Sequence, residues 1–292
     1  MFKTKDKSTQ RVHEFYNFIQ ERYNIYRRRE NGDPKPWTKD PILQQYRFCN
    51  VHRENDKVTR WITKNWRAPH RTDKDLWFSM VVARFLNWPP TLEHIGYPVP
   101  FDRATVLHNL SVRQVRREQV FTGAYIVKSN AGSKIKFVVN KLFQPCWDNR
   151  ERLRPQRGMQ LADYYEVLRS QYGFGSFMAA QIIADLKYVE PLQRAGDWNT
   201  WAASGPGSRR GLQYVLEGGT VERNVSWSEE EWLRALQALH IRIEGLRLRT
   251  MHRMCAIPPI HAQDLQNCLC EFSKYVRVQQ GVGRPRSTYP GV

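Results

Sequence analysis

The chain has 292 residues, enough for one large domain or two small ones, and its 46 Lys and Arg against 28 Asp and Glu give a formal charge of +18. No apolar run approaches the roughly 20 residues that span a bilayer, MFKTKDKSTQRVHEF lacks the apolar stretch of a secretory signal, and the five scattered cysteines suit neither a zinc nor an iron–sulfur site. What remains is a cationic protein of a reducing cytoplasm (the host's, if the chain is viral) that needs no metal, no cofactor and no membrane. Its partners are polyanions, nucleic acid first, because cations meet phosphates while the 12% aromatic residues can stack on bases.

In chain order the pattern is mostly helical. STQRVHEFYNFIQERYNIYRRREN places Val12, Phe15, Tyr16, Ile19, Tyr23 and Tyr26 at helical spacing and stops at Asn31-Gly32. GDPKPWTKDP is a proline-bounded linker. A helix is predicted over Ile42 to Asn65, and another over KDLWFSMVVARFLNW, apolar nearly all round and therefore buried. After PPTLEHIGYPVPFD, Arg113, Arg116 and Arg117 mark a basic helix face. Residues 123–143 alternate around an Asn-Ala-Gly turn, which predicts a small β-hairpin.

A helix is predicted from Met159 to Gln171. Ser226 and Ser228 each stand three residues before a Glu, a doubled capping-box signal for EEEWLRALQALHIRIEGLRLR. A last helix covers HAQDLQNCLCEFSKYVR, and residues 279–292, with GVGRPRSTYPGV, read as a disordered basic tail. The expected organisation is a single helical domain over 1–278, with at most a small β-hairpin and room for two lobes.

Three stretches carry chemistry. In YGFGSFMAAQIIADL, Gly173 and Gly175 flank Phe174, and Ser176 opens a helix. The glycines permit close backbone approach, and the first amides of the helix attract phosphate. A plain Schellman-type cap reads the same way. In SGPGSRRGL, the small residues Gly205, Gly207 and Ser208 expose amides beside Arg209 and Arg210, a composition that suits a phosphate nest or a simple basic loop. No Gly-Lys-Ser/Thr of a Walker loop follows.

RFCNVHRENDKVTRWI reads as a helix whose polar stripe is Asn50, Arg53, Lys57 and Arg60, flanked by Asp56. DLQNCLCEFSKYVR repeats it with Asp264, Asn267, Glu271 and Lys274. Such stripes are usually solvated faces. Short Asn and Asp are poor helix formers, however, and Arg with Asp suits a hydrogen-bonded network.

The segment from Tyr172 to Trp198 resembles the helix–hairpin–helix DNA glycosylase superfamily, in which a Gly-hydrophobic-Gly hairpin is followed by an essential aspartate at the start of another helix. Asp197 stands in that place, where it would also cap the residues after it. Strand-cleaving members carry a lysine near the position of Phe177, and Lys187 is three turns away, so the resemblance argues against lyase chemistry. FCNVHRENDKVTRWI, DWNTWAASGPGSRRGL and DLQNCLCEFSKY, in this order, resemble the α-glutamyl/putrescinyl thymine pyrophosphorylase family over residues 10–278. A similar domain is attached to 5-hydroxymethyluracil DNA kinases; without a Walker motif, no kinase half is expected here.

The resemblance implies a helix–hairpin–helix DNA-glycosylase-like fold, with the hairpin and the catalytic Asp in about 158–215. It implies DNA carrying a modified thymine as substrate and an amino acid or polyamine as co-substrate. A 5-hydroxymethyluracil DNA kinase is the implied functional partner. In the family's chemistry an amine displaces pyrophosphate from the exocyclic methylene of an activated hydroxymethyluracil. Asp197 would be the base or electrostatic stabiliser. Asn50, Arg53, Asp56, Arg60, Asp264, Glu271 and Lys274 would bind the substrate. Gly173, Gly175, Ser176, Gly205, Gly207, Ser208, Arg209 and Arg210 would contact phosphate or DNA. Two rival readings stay open: a monofunctional glycosylase excising a modified base, and a non-catalytic DNA-binding partner of the kinase.

Overall fold

The computed structural model describes residues 3–123, 132–221, 225–250, 256–285 and 287–289. Its longer helices are α1 (Lys3–Glu30), α2 (Leu76–Leu86), α3 (Arg103–Val115), α4 (Leu161–Arg169), α5 (Ser176–Leu186), α6 (Pro206–Glu217), α7 (Glu229–Arg249) and α8 (Ala262–Gln279). Among the described residues the only β-pairing is an isolated antiparallel bridge between Tyr46 and Thr288, so the fold is mainly helical. The chain divides into two compact units. The first is discontinuous, Met1–Asn55 with Trp198–Val292, and the second is the intervening Asp56–Asp197.

The first unit is built from α1, α6, α7 and α8 around Phe15, Ile19, Leu212, Trp232, Leu239, Leu265, Leu269 and Phe272. The apolar stripe of α1 supplies one wall and stops at Gly32, whose φ of +78° suits glycine. Of the two capping candidates, Ser228 is the one used: its hydroxyl accepts from the Glu231 amide while Glu231 accepts from the Ser228 amide. Helices α6 and α8 meet almost backbone to backbone. A Cβ at Gly211 would lie 2.1 Å from the Leu269 carbonyl oxygen, and one at Gly207 would lie 2.5 Å from Cys270 Sγ. Only glycine permits that approach.

The second unit centres on α2, every residue of which is buried, as an all-round apolar helix must be. Phe85 meets both Phe143 and Phe174, with centroids 6.0 and 5.0 Å away. Phe174 thus points inward between its two glycines, leading into α5. Gly173 has φ +80°, and a Cβ there would lie 2.4 Å from Leu142 Cδ2.

Four sequence expectations are corrected. Ile42 to Asn65 is not one helix: a short helix, Pro41–Gln45, gives way to extended backbone, then a 3-10 turn, Arg53–Asn55, and a helix, Lys57–Ile62. The cause is tertiary. Arg22 takes the carbonyls of Cys49 and Asn50, and the Asn50 side chain donates to the Asn55 carbonyl, so these groups do not serve a helix. In the predicted β-hairpin, 124–131 lie outside the described residues. The rest turns helical at Ser133, which caps Lys134–Phe137. Ile135, Val138, Val139 and Leu142 are buried at helical spacing there.

The tail is not disordered throughout. Arg47 donates its amide to Ser287, Tyr289 donates its amide to Gln45, and Tyr289 is buried. Asp197, finally, does not open a helix with the residues that follow it. Of residues 158–215, the hairpin Gly173–Ser176 and Asp197 fall in the same unit, and 198–215 belong to the other.

Candidate functional site

In the first unit, α8 gathers the polar residues. Asp264 sits in its first turn, where the helix N-terminus favours a carboxylate, and is 3% exposed; Glu271, two turns on, is equally buried. The loop 49–55 lies against them. Asp264 Oδ1 accepts the Arg53 amide at 3.3 Å, and Glu271 Oε2 accepts the Cys49 amide at 3.3 Å. Glu271 Oε1 is 2.5 Å from Lys274 Nζ, and Asn267 donates to the Asn50 carbonyl at 3.4 Å. Asn50, Arg53, Asp264, Glu271 and Lys274, predicted as one network, are therefore brought together.

Three participants escape the periodicity. Arg22 of α1 is buried beside the Cys49 and Asn50 carbonyls. His52 and His261 both turn Nδ1 toward Asp264 Oδ2, at 3.8 and 3.6 Å. His261 also stands edge-on to Trp198, with centroids 5.0 Å apart. Arg22 could have been found in the sequence, since it interrupts the apolar stripe of α1 three residues after Ile19. The two histidines join only through tertiary contact.

The electrostatics are those of a tight, partly desolvated charge cluster. Burial works against the Arg22 guanidinium, but the Cys268 and Glu271 side chains outweigh it and hold it charged. Burial likewise opposes the Lys274 ammonium, and Glu271 and the sulfur of Cys270 outweigh it, so Lys274 titrates above an ordinary lysine. The Cys268 thiol is pushed up to about 11 by burial, with Arg22 pulling the other way. Among the described residues, Arg22 Nη1, His52 Nε2 and Arg210 Nε are buried with no hydrogen-bond partner. Buried polar atoms of that kind are costly unless something else meets them.

The stretch Ser204–Leu212, which the sequence suggests as a loop, is helical from Pro206, where α6 begins, and packs on the same helix. Ser208 is internal: its hydroxyl accepts the Gly205 amide and donates to the Gly205 carbonyl, closing the start of α6. Gly207 provides the close approach to Cys270 described above. Arg209 is held by Ser204 at 2.8 Å, Glu229 at 2.7 Å and the Trp227 carbonyl. Arg210, by contrast, lies near enough to Cys270 to pull its thiol down against the burial that raises it, as does Lys274. Of the two arginines predicted for phosphate, Arg210 faces the network and Arg209 fastens the loop.

The second unit holds the other predicted residues. Asp197 presents both oxygens to the start of α4, accepting the Leu161 and Ala162 amides at 2.9 Å each. It caps a helix that precedes it by more than thirty residues in the chain. Gly175 is the N-cap of α5, with no side chain capping the helix, and Gly173, Gly175 and Ser176 are exposed. Asp56 and Arg60 lie at the N-cap and within the helix Lys57–Ile62, so the stripe that begins at Asn50 is shared between the units.

A mainly helical protein with a carboxylate–arginine network on its last helix is the class that fold and site define. The comparisons make it specific. Residues 9–283 match the family described as 5-hmdU DNA kinase, helical domain, and the chain belongs to that family. A 5-hmdU DNA kinase of Bacillus phage SP10 is 31% identical over 232 residues, 70% of this chain and 36% of the phage protein. The chain thus spans about a third of the length of that curated relative. No solved structure matches it.

Proposed function

We propose that the chain acts in thymine hypermodification as a transferase on DNA carrying 5-pyrophosphoryloxymethyluracil, joining an amino acid or polyamine to the base. The observation that carries this reading is the meeting of three motifs on α8: the loop 49–55, the glycine-bearing start of α6 and the helix's own polar face. The relative's name supplies the modified base, and the net charge of +18 supplies the polyanion.

In the reaction, the amine lone pair forms a C–N bond to the exocyclic methylene as its C–O bond to pyrophosphate breaks, and a proton leaves the nitrogen. The leaving group needs positive charge that is present before it departs, and Arg210, Lys274, Arg22 and Arg53 are its candidates. The proton needs an acceptor. His261 and His52, each turned by Nδ1 toward Asp264, leave Nε2 for that role, with Asp264 as the positioning residue. Asn50 and Glu271 hold the loop and Lys274 in register.

Asp197 keeps an electrostatic part within the second unit, toward the strand held by the hairpin. A carboxylate has room beyond two amide bonds, but its position is fixed by α4, which suits a stabiliser better than a mobile base. The hairpin Gly173–Ser176 is assigned to the DNA backbone, as in the glycosylase-like fold the sequence resembles, and Arg60, with Asp56 at the N-cap of its helix, to the substrate strand beside it. The base must leave the stack, at a cost of about a few kcal/mol, which such contacts offset.

The test is mass spectrometry of nucleosides after incubation with pyrophosphorylated hydroxymethyluracil DNA and an amine. A conjugated nucleoside with free pyrophosphate is expected from the wild type and its loss from Glu271→Gln. Abasic sites alone would reassign the chain as a glycosylase. Intact DNA with tight binding would reassign it as a non-catalytic partner of a kinase, a reading favoured by the relative, in which this region is one part of a longer kinase.

A further inference from the structure

Two segments that the sequence reads as a linker and a tail meet in the first unit. Trp37, from GDPKPWTKDP, stands T-shaped to Tyr289, with centroids 5.6 Å apart. The bridge between Tyr46 and Thr288 fixes the tail there. The indole is anchored by Nε1 donating to the Asp33 carbonyl at 2.8 Å.

Cations surround the two rings. Arg29 and Lys35 lie 5.5 and 5.4 Å from the Trp37 centroid; Arg29, Lys35 and Arg47 lie 5.8, 5.7 and 5.9 Å from that of Tyr289. All three are exposed, as are Lys39 and Arg284. A ring orients a cation without cancelling its charge. Two carboxylates of this region are engaged elsewhere: Asp40 holds the Ile42 and Leu43 amides and the Tyr275 hydroxyl, and Glu21 pairs with Arg28. Beside Trp37 opens a slot of about 330 Å³ walled by Ile25, Pro36, Trp37 and Leu43, with Lys35 and Gln44 among its lining residues.

We infer that Trp37, Tyr289 and the cations Arg29, Lys35 and Arg47 form a second DNA-holding surface, which seats one unstacked base of a single strand in the slot and its phosphates on the cations. Flat apolar walls with a cationic margin are what a base attached to a phosphodiester requires. The slot is also large enough for a six-membered base with room for a substituent. A sheath of cations over aromatic faces fits a flexible single strand better than a stiff duplex, because the bases must turn out to reach the ring. The inference rests on the nucleic-acid reading above but not on transfer chemistry.

The experiment is fluorescence anisotropy of a labelled oligothymidylate with the full chain, with photocrosslinking of the same oligonucleotide carrying 5-iodouracil. Trp37→Leu is expected to weaken binding by roughly tenfold or more. Arg47→Gln and Lys35→Gln should each reduce the salt slope by about one. The crosslinked peptide should contain Trp37 or Tyr289. Wild-type binding with Trp37→Leu within twofold of it and a crosslink elsewhere would overturn this surface alone. No oligonucleotide binding by the wild type overturns it together with the nucleic-acid reading. Binding of phosphatidylserine vesicles in place of the oligonucleotide would assign the patch to a membrane surface and overturn it as well.

Discussion

Each unit buries an arginine, and the two arrangements differ in completeness. In the second unit, Arg84 Nε and Nη2 reach the two oxygens of Asp185 at 2.5 Å, Nη1 donates to Asn87 Oδ1 at 3.1 Å, and Nη2 also donates to Thr59 at 2.9 Å. Every guanidinium nitrogen has a partner, and both residues are almost wholly buried. In the first unit, Arg22 turns to two backbone carbonyls and the sulfur of Cys268, with no carboxylate paired to it and no oxygen acceptor at Nη1 among the described residues, while Glu271 is shared between an amide and a half-exposed lysine. A saturated pair has no capacity left for a ligand and works as a fastener. The unpaired arrangement around Arg22, rimmed by His52, Arg210 and Lys274, keeps that capacity.

The contrast is sharpened by breaking each side. Arg84→Met leaves Asp185 buried and uncompensated, so a loss of about 3–5 kcal/mol is expected in urea unfolding, the largest of the expected effects. Pairing it with Asp185→Leu should restore much of that stability. A lone Arg84→Met variant that unfolds at the wild-type midpoint would remove the fastener role.

Lys274→Met should cost far less, about 0.5–1 kcal/mol, because the ammonium is nearly half exposed and solvent screens it. Its pH dependence is the more telling signal. Lys274 is raised above 10.5 in the folded chain, so its contribution is fully present below that value and is lost as pH rises through the folded value. The stability gap between wild type and Lys274→Met should therefore close at strongly alkaline pH, and a gap that widened there would contradict the pair. Asp197→Ala, which removes two amide acceptors at the start of α4, should cost about 1 kcal/mol by thermal melting. An unchanged melt would mean that water replaces the cap.

The difference between the units also explains what the sequence could disclose. Within one helix the signals were local: Leu265, Cys268, Leu269, Phe272 and Val276 of α8 keep helical spacing, and their polar complement Asp264, Glu271 and Lys274 is where that spacing puts it. Helix α2 was legible for the same reason. Residues 46–56 were not, because their conformation is set by Arg22, far away in the chain, and by the passage of the chain from one unit to the other. Asp197 was legible as a cap but not as to which helix it caps, since Leu161 lies 36 residues earlier. Arg209 and Arg210 look alike in SGPGSRRGL, and only the α6–α8 packing gives one to Glu229 and the other to the network.

That last distinction gives the most direct measurement of the central claim, that the incomplete network on α8 receives a pyrophosphate. Calorimetric titration of the full chain with inorganic pyrophosphate should show binding that falls at least about tenfold in Arg210→Gln, the loss of roughly 1.4 kcal/mol for one charge-assisted contact. Arg209→Gln, which touches only the loop's fastening, should bind within a few-fold of the wild type. Equal binding by all three proteins, or loss confined to Arg209→Gln, would contradict it.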